Sequence, residues 1–532
     1  MSPRHTLASP YHYLLPTLGR RMTILKVQGK HIMGLGRNIP KRTDVRASSA
    51  QRPAPTAYWC DVARVTIGML PEVALLKLFG FYVNEACVVK GWHTLVHVCR
   101  KWRNVVFGSP RRLDLRLYCK ARTPVREMLD VWPPLPIIVM GEADEILGED
   151  NVIAALEHND RICKFELWRV PSSQWEKILA AMEQPFPALT LIQLSLNDDT
   201  TPVIPASFLG GSAPSLQDVY ICGLPFPGLP KLLLSATHLV TLELWRIPHS
   251  GYFSPETIVA CLSMLTRLEK LGIRFRSPQS RPDDRRPPPQ TRTLLSVLAE
   301  LEFFGASEYL EDLVARIDAP LLKKMVIIFF HQLIFHTPQL TQFIGRTPNF
   351  KAHDEARVFF VTWHVSVQLL MKFDGKLELR ISSEQADWLV SALAQVCSSS
   401  FPQALIPTVE RLYIFEYDFS RVRWQDDIES SQWLELLHPF TGVKDLYISQ
   451  EFMPRLAPAL KELVGERVTE VLPALQTLFL EGSLPSGPVQ EAIEQFVAAR
   501  YLAGLPVAMS LWERDGSGFD GRGTLTFRAS KD

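Results

Sequence analysis

The chain has 532 residues, with 57 Lys and Arg against 56 Asp and Glu, and 47% of it is hydrophobic. That length exceeds what one compact core holds and points to several domains or one elongated repeat array. The composition is that of a soluble folded protein, and no run approaches the ~18–20 apolar residues of a membrane span.

The first 60 residues carry ten Lys/Arg against the single acid Asp44, leaving the remainder mildly acidic. Such sequence also suits a mitochondrial presequence, but Gly29, Gly34, Gly36 and Pro40 interrupt any amphipathic helix. Residues 1–64 are therefore expected to be a disordered basic tail.

Residues 65–110 are expected to form a small all-helical module. Pro71 suits a first helical turn and Glu72 complements the positive helix end. Leu70, Val73, Leu76 and Phe79 follow as an apolar stripe at three-residue steps. A second helix is read over Trp92–Phe107, with Leu95, Val98, Cys99, Trp102, Val105 and Val106 on one face and Arg100, Lys101 and Arg103 pointing away. Taken together, Leu70-Pro71 and Val98-Cys99-Arg100-Lys101-Trp102 resemble the two halves of an F-box. Two features depart from that pattern: Glu72 follows Pro71 directly, and Asn84 to Gly91 stands where a leucine-rich middle helix is usual. The run from Phe107 to Leu115 is similar to the exit from this module in large fungal families of F-box proteins with degenerate leucine-rich repeats.

Residues 111–513 are expected to form an irregular leucine-rich-repeat-like α/β solenoid. An apolar triplet spaced three and then two residues apart stands at ten near-regularly spaced positions. It stands at Ile162-Phe165-Leu167, Leu189-Ile192-Leu194, Leu216-Val219-Ile221, Leu239-Leu242-Leu244 and Leu268-Leu271-Ile273. It recurs at Leu298-Leu301-Phe303, Leu322-Met325-Ile327, Val409-Leu412-Ile414, Val443-Leu446-Ile448 and Leu475-Leu478-Leu480. Starts lie 23–34 residues apart, except for one gap of 87 residues that could hold degenerate units around Val358 and Leu377. This overlaps the roughly 20–29 residues of leucine-rich repeats and extends beyond it. The last two positions of a triplet share one strand face, and that face needs a helix to cover it. Candidate helices are Ser172–Gln184, Ser254–Leu265, Ala306–Ile317, Glu384–Val396, Met453–Leu463 and Pro488–Leu502, with Ser172 and Ser254 as N-caps. The Pro/Arg-rich stretch 277–292 reads as an exposed loop, and residues 514–532 as a fraying tail.

Eight cysteines (Cys60, Cys87, Cys99, Cys119, Cys163, Cys222, Cys261 and Cys397) lie far apart with no C-x-x-C pair. They read as reduced thiols of a cytoplasmic or nuclear protein. Phosphate-binding, dinucleotide-binding, zinc-protease and nucleophile-elbow motifs are absent from the sequence. No enzyme, cofactor or metal is expected, and no nucleic acid as partner, given the acidic body. Trp168, Trp245, Arg246, Arg274 and Arg276, with Arg169, Phe275, Phe304 and Tyr417, fall just after repeat strands, where they could line a client-binding rim.

The resemblance implies that Leu70, Pro71, Val73, Leu76, Phe79, Val98, Cys99 and Trp102 contact a Skp-type adaptor and, through it, a cullin ubiquitin ligase, while the repeats hold a protein client. The alternative is a leucine-rich-repeat interaction scaffold outside any ligase.

Overall fold

The computed structural model describes residues 70–85, 91–108, 115–132, 134–142, 147–198, 202–278, 291–330, 335–351, 353–361, 364–370, 375–382, 387–416, 429–482, 486–514 and 527–529. The tail 1–64 and most of the loop 277–292 lie outside them. The chain divides into two compact units between Asp114 and Leu115.

The first unit is helical: α1 (Glu72–Glu85), α2 (Gly91–Val98) and α3 (Arg100–Gly108) pack on one another. The single second helix of the sequence reading is in fact two, broken at Cys99. The break resets the helical phase, so Leu95, Val96, Val105 and Val106 are buried, while Val98 and Cys99 are exposed and Trp102 is half-buried. Among the described side chains of α1, Leu75, Leu76 and Phe79 are buried, and Val73 is 56% exposed. The geometry of the helix explains this. At 3.6 residues per turn, each three-residue step lags by about 60°, so a stripe read at that spacing turns off the buried face. Of the irregular middle stretch, Asn84 and Glu85 are helical and residues 86–90 lie outside the described residues.

The second unit alternates strands with helices. It begins with β1 (Leu115–Tyr118), α4 (Val125–Val131), β2 (Ile137–Glu142), α5 (Glu149–Leu156), β3 (Ile162–Val170), α6 (Ser172–Ala181), β4 (Leu191–Leu196) and β5 (Asp218–Cys222). It continues with α7 (Leu229–Ser235), β6 (Thr241–Ile247), α8 (Pro255–Leu262), β7 (Lys270–Phe275), β8 (Thr293–Leu294), β9 (Glu300–Gly305), α9 (Ser307–Ala315), β10 (Ile317–Asp318), β11 (Lys324–Phe330) and α10 (Pro338–Arg346). Then come β12 (Glu355–Val361), β13 (His364–Leu370), β14 (Lys376–Ser382), α11 (Asp387–Ser399), β15 (Arg411–Glu416), α12 (Ser430–Leu437), β16 (Asp445–Ile448), α13 (Met453–Lys461), β17 (Thr477–Glu481), α14 (Pro488–Leu502), β18 (Ala508–Arg514) and β19 (Phe527–Ala529).

Among the described residues seventeen strands form one sheet, and β8 and β10 pair separately. From β1 to β7, and on through β9 to β11, each strand pairs in parallel with the next. The same holds from β15 to β18. This is a mixed α/β architecture built on a long, mostly parallel sheet. Each of the ten apolar triplets falls on a strand or its first approach, and the paired positions, such as Phe165 and Leu167 or Leu242 and Leu244, are buried.

The 87-residue gap holds the departure from regularity. Val358 and Leu377 do lie on strands, but β12 does not follow β11. Instead β14 pairs in parallel with β11, β13 runs antiparallel between β14 and β12, and β12 pairs in parallel with β15. The spatial order there is β11-β14-β13-β12-β15.

Two further details differ from the sequence reading. Ser254 caps α8 as expected, its Oγ accepting the Thr257 N–H at 3.2 Å. Ser172 does not cap α6: Pro171 holds that position, and the Ser172 N–H donates to the Asp198 carboxylate at 2.8 Å. Part of the expected fraying tail is ordered into β19, which runs antiparallel to β18 with Trp512 opposite Ala529.

Candidate functional site

In the helical unit the two motif halves meet. The Lys101 ammonium donates to the Leu70 carbonyl at 3.2 Å, and the Phe79 and Trp102 rings lie 4.7 Å apart. Leu75 N–H to Pro71 carbonyl, at 3.0 Å, is the first turn of α1, and Arg103 ties α3 to the Val96 carbonyl at 3.1 Å. Leu76 and Phe79 are core. Pro71, Val73, Val98 and Cys99 are exposed, and Leu70 and Trp102 are half-buried. The described residues of this unit, fewer than fifty, supply little core, and among them apolar side chains are left exposed.

The second unit offers a second candidate, on the sheet face opposite the buried triplet pairs. Trp168, Trp245, Arg274 and Phe304 were expected in a rim beyond the strands. They lie within them, because β3, β6, β7 and β9 run on past the triplets. Trp168 and Trp245 flank Tyr220 at 5.6 and 5.4 Å, and the Arg274 guanidinium stands 3.8 Å over the Trp245 ring. Arg274 pairs with Glu302 on β9, and Lys270 with Glu243 at 2.6 Å. The face is thus an aromatic row closed at one end by a compensated cation. Burial brings the Arg274 pKa down to about 10 and raises that of Glu166 on β3.

Not every expected rim residue joins this row. Phe275 is buried against Tyr309 and Phe303 on the opposite face, and Phe304 is buried against Phe330 at 4.5 Å. Arg276 is half-buried, and its backbone N–H donates to the Ile247 carbonyl at 2.9 Å. Tyr417 lies outside the described residues.

Arg169 and Arg246 take positive φ values, 53° and 51°, where the register slips between β3 and β4 and between β6 and β7. Such conformations cost an L-residue of order 1 kcal/mol and accompany β-bulges. Sequence reading missed the cause, which is visible as a repeated hexapeptide. Glu166-Leu167-Trp168-Arg169-Val170-Pro171 and Glu243-Leu244-Trp245-Arg246-Ile247-Pro248 differ only by Val for Ile. It also missed Tyr220, and a second row on the far side of the insertion. There Tyr413, Tyr447 and Phe479 stack at 4.2 Å spacing, and Arg357 stands 5.9 Å from the Tyr413 ring. In-register strands about 4.8 Å apart favour such ladders.

Among the described residues, no three His, Cys, Asp or Glu side chains group to hold a metal, and no helix is long and apolar enough to cross a membrane.

No protein-family model matches the chain, and no curated protein matches it. Among solved structures it is similar to the leucine-rich repeat-containing protein LegL7 from Legionella pneumophila, at 10% identity and a TM-score of 0.25, over 72% of this chain and 97% of that one. So loose a superposition carries no argument about function.

Proposed function

We infer that this protein is a substrate-recognition adaptor of a Skp-cullin-F-box ubiquitin ligase, without catalytic chemistry of its own. In this reading the helical unit binds a Skp-type adaptor and the solenoid holds a protein client, in the cytoplasm or nucleus. The observation that carries it is the meeting of Leu70-Pro71 with the start of α3 through Lys101, beside apolar Val73 and Val98 that remain 56% and 55% exposed. Exposed apolar surface on so small a unit is what a docking partner covers. For the client, the Trp168–Tyr220–Trp245–Arg274 row offers the residue types that anchor protein interfaces.

Co-purification with a Skp-type adaptor tests this. Val73→Asp with Val98→Asp changes exposed side chains, so capture should fall at least about tenfold with the unfolding midpoint unchanged. Undiminished capture by that variant, or no capture by the wild type, overturns the reading. An interaction scaffold outside any ligase would use the same sheet face, and it is the reading left if the wild type binds no adaptor.

A further inference from the structure

Among the described residues of the sheet strands, every buried acidic, basic or imidazole side chain lies in the insertion that breaks the parallel order. These are Glu355 and Arg357 on β12, His364 on β13 and Glu378 on β14, and buried His353 lies two residues before β12. Glu378 is fully buried. It accepts a hydrogen bond from the Ser366 hydroxyl at 2.9 Å and pairs with both Lys376 and Arg380. Arg357 pairs with Glu355 at 2.6 Å, and Arg411 of β15 reaches Asp354 at 3.1 Å and Glu355 at 3.5 Å.

α10 and the end of α11 are tied by the Thr337 and Ser400 hydroxyls at 2.7 Å, and by the Thr341 hydroxyl donating to the Ser399 carbonyl at 3.0 Å. In a solenoid each unit is held by its neighbours, so cooperativity fails first at the weakest junction.

The two histidines decide how that junction responds to acid. His353 is 2% exposed, and among the described residues neither ring nitrogen has a hydrogen-bond partner. Its backbone is held on both sides by the Thr408 hydroxyl, and the charge beside it, Asp354, is already paired with Arg411. His364 lies against the Phe359 ring, Arg380 and Glu378 of β14 are charges that act on it among the described residues, and Glu378 already serves two cations.

We propose that the β12–β14 insertion is an acid-sensitive joint: proton uptake at His353 and His364 loosens it, while the arrays β1–β11 and β15–β18 on either side stay folded.

Burial, only partly offset by Asp354, holds the His353 pKa down to about 4, and burial together with Arg380 holds that of His364 down to about 3. An opened joint titrates near 6.5. The closed form is therefore fully favoured above about pH 6.5, and it loses ground as pH falls toward the closed-state values. At pH 5 each histidine shifts opening by roughly 30-fold, and the two together by on the order of 10³-fold. Glu378 does not titrate in this window: burial would raise its pKa, but Arg380 and Lys376 more than offset that and hold it well below the usual carboxylate range. Glu166 and Glu311, on β3 and α9, are shifted upward mainly by burial, so they act with the opposite sign in the first array.

Hydrogen–deuterium exchange of the full chain, read by mass spectrometry as protection factors at pH 7.5 and pH 5, tests the joint. Peptides from β12–β14 should lose on the order of 10³-fold in protection, those from β3–β6 and β16–β17 should keep theirs, and His353→Gln with His364→Gln should remove most of the loss. A uniform fall over all strands, no fall at β12–β14, or a fall unchanged in the double variant overturns the proposal. If the variant does not fold, imidazole C2–H exchange of the wild type reports both pKa values directly. Values near 6.5 overturn the proposal, and values near 4 and 3 sustain it.

Discussion

The Arg274 guanidinium lies 3.8 Å over the Trp245 ring and pairs with Glu302 on the neighbouring strand, closing the aromatic row that begins at Trp168. Both charged side chains are largely out of water, so their pairing is weakly screened. Arg274→Met should therefore cost about 2–3 kcal/mol, from the stranded carboxylate and about 1 kcal/mol of lost cation–π contact. Adding Glu302→Gln should recover at least half of that. A urea-unfolding double-mutant cycle gives the answer, and additive effects would show that the pair is not coupled.

If the row anchors a client, Trp168→Ala should weaken client capture by at least tenfold while costing only about 1–2 kcal/mol of stability, because Trp168 is half-buried. Capture from a lysate by wild-type and variant chains, both carrying Val73→Asp to exclude ligase subunits, measures the difference. Equal recovery would remove this face from the client-binding reading.

In the helical unit, the Phe79–Trp102 contact couples α1 to α3. Trp102→Ala should cost about 2 kcal/mol and lower adaptor capture through partial unfolding, whereas Trp102→Phe should keep most of both. This separates a packing residue from the exposed Val73 and Val98, whose substitution should affect capture alone. Circular dichroism melts alongside capture assays distinguish the two outcomes.

Arg500 is fully buried, and among the described residues its hydrogen-bond acceptors include no carboxylate. Its guanidinium donates to the carbonyls of Val468, Leu472, Pro473 and Leu475 at 3.0–3.4 Å. These bonds hold a turn in which Leu472 takes φ 51°. Arg500→Met should cost about 2–4 kcal/mol, and Arg500→Lys should recover little, since an ammonium lacks the planar fork that reaches several carbonyls at once. Chemical denaturation of the three chains provides the comparison.

Thiol labelling should follow burial. Cys99 is exposed, whereas Cys119 and Cys397 are buried, and burial pushes their thiols up to about 12. Maleimide at pH 7.5 should modify Cys99 within minutes and reach Cys119 and Cys397 only as fast as the second unit opens. Peptide mapping over time reads the order, and early labelling of Cys397 would contradict the packing described.

The sequence by itself determined where ten of the described strands form and which of their faces is buried. Alternation with period two and a leucine three residues earlier depend only on local geometry, so all ten triplets could be read directly, as could helix α14 to its ends and the Ser254 cap. It did not determine phase within the helical unit, because the break at Cys99 follows from packing among three helices. Nor could it show the Trp168–Tyr220–Trp245 row, although the repeated Glu-Leu-Trp-Arg hexapeptide was there to be read. Pattern assigns a residue to a face, while neighbours on that face come from strands 25 or more residues away. Only the tertiary structure decided the order β11-β14-β13-β12-β15. Val358 and Leu377 carry the same apolar alternation, and backbone N–H and C=O groups pair equally well with any extended neighbour. What the non-local order adds is contact across strands: Ser366 of β13 donates to the buried Glu378 of β14, and Arg411 of β15 reaches Glu355 of β12.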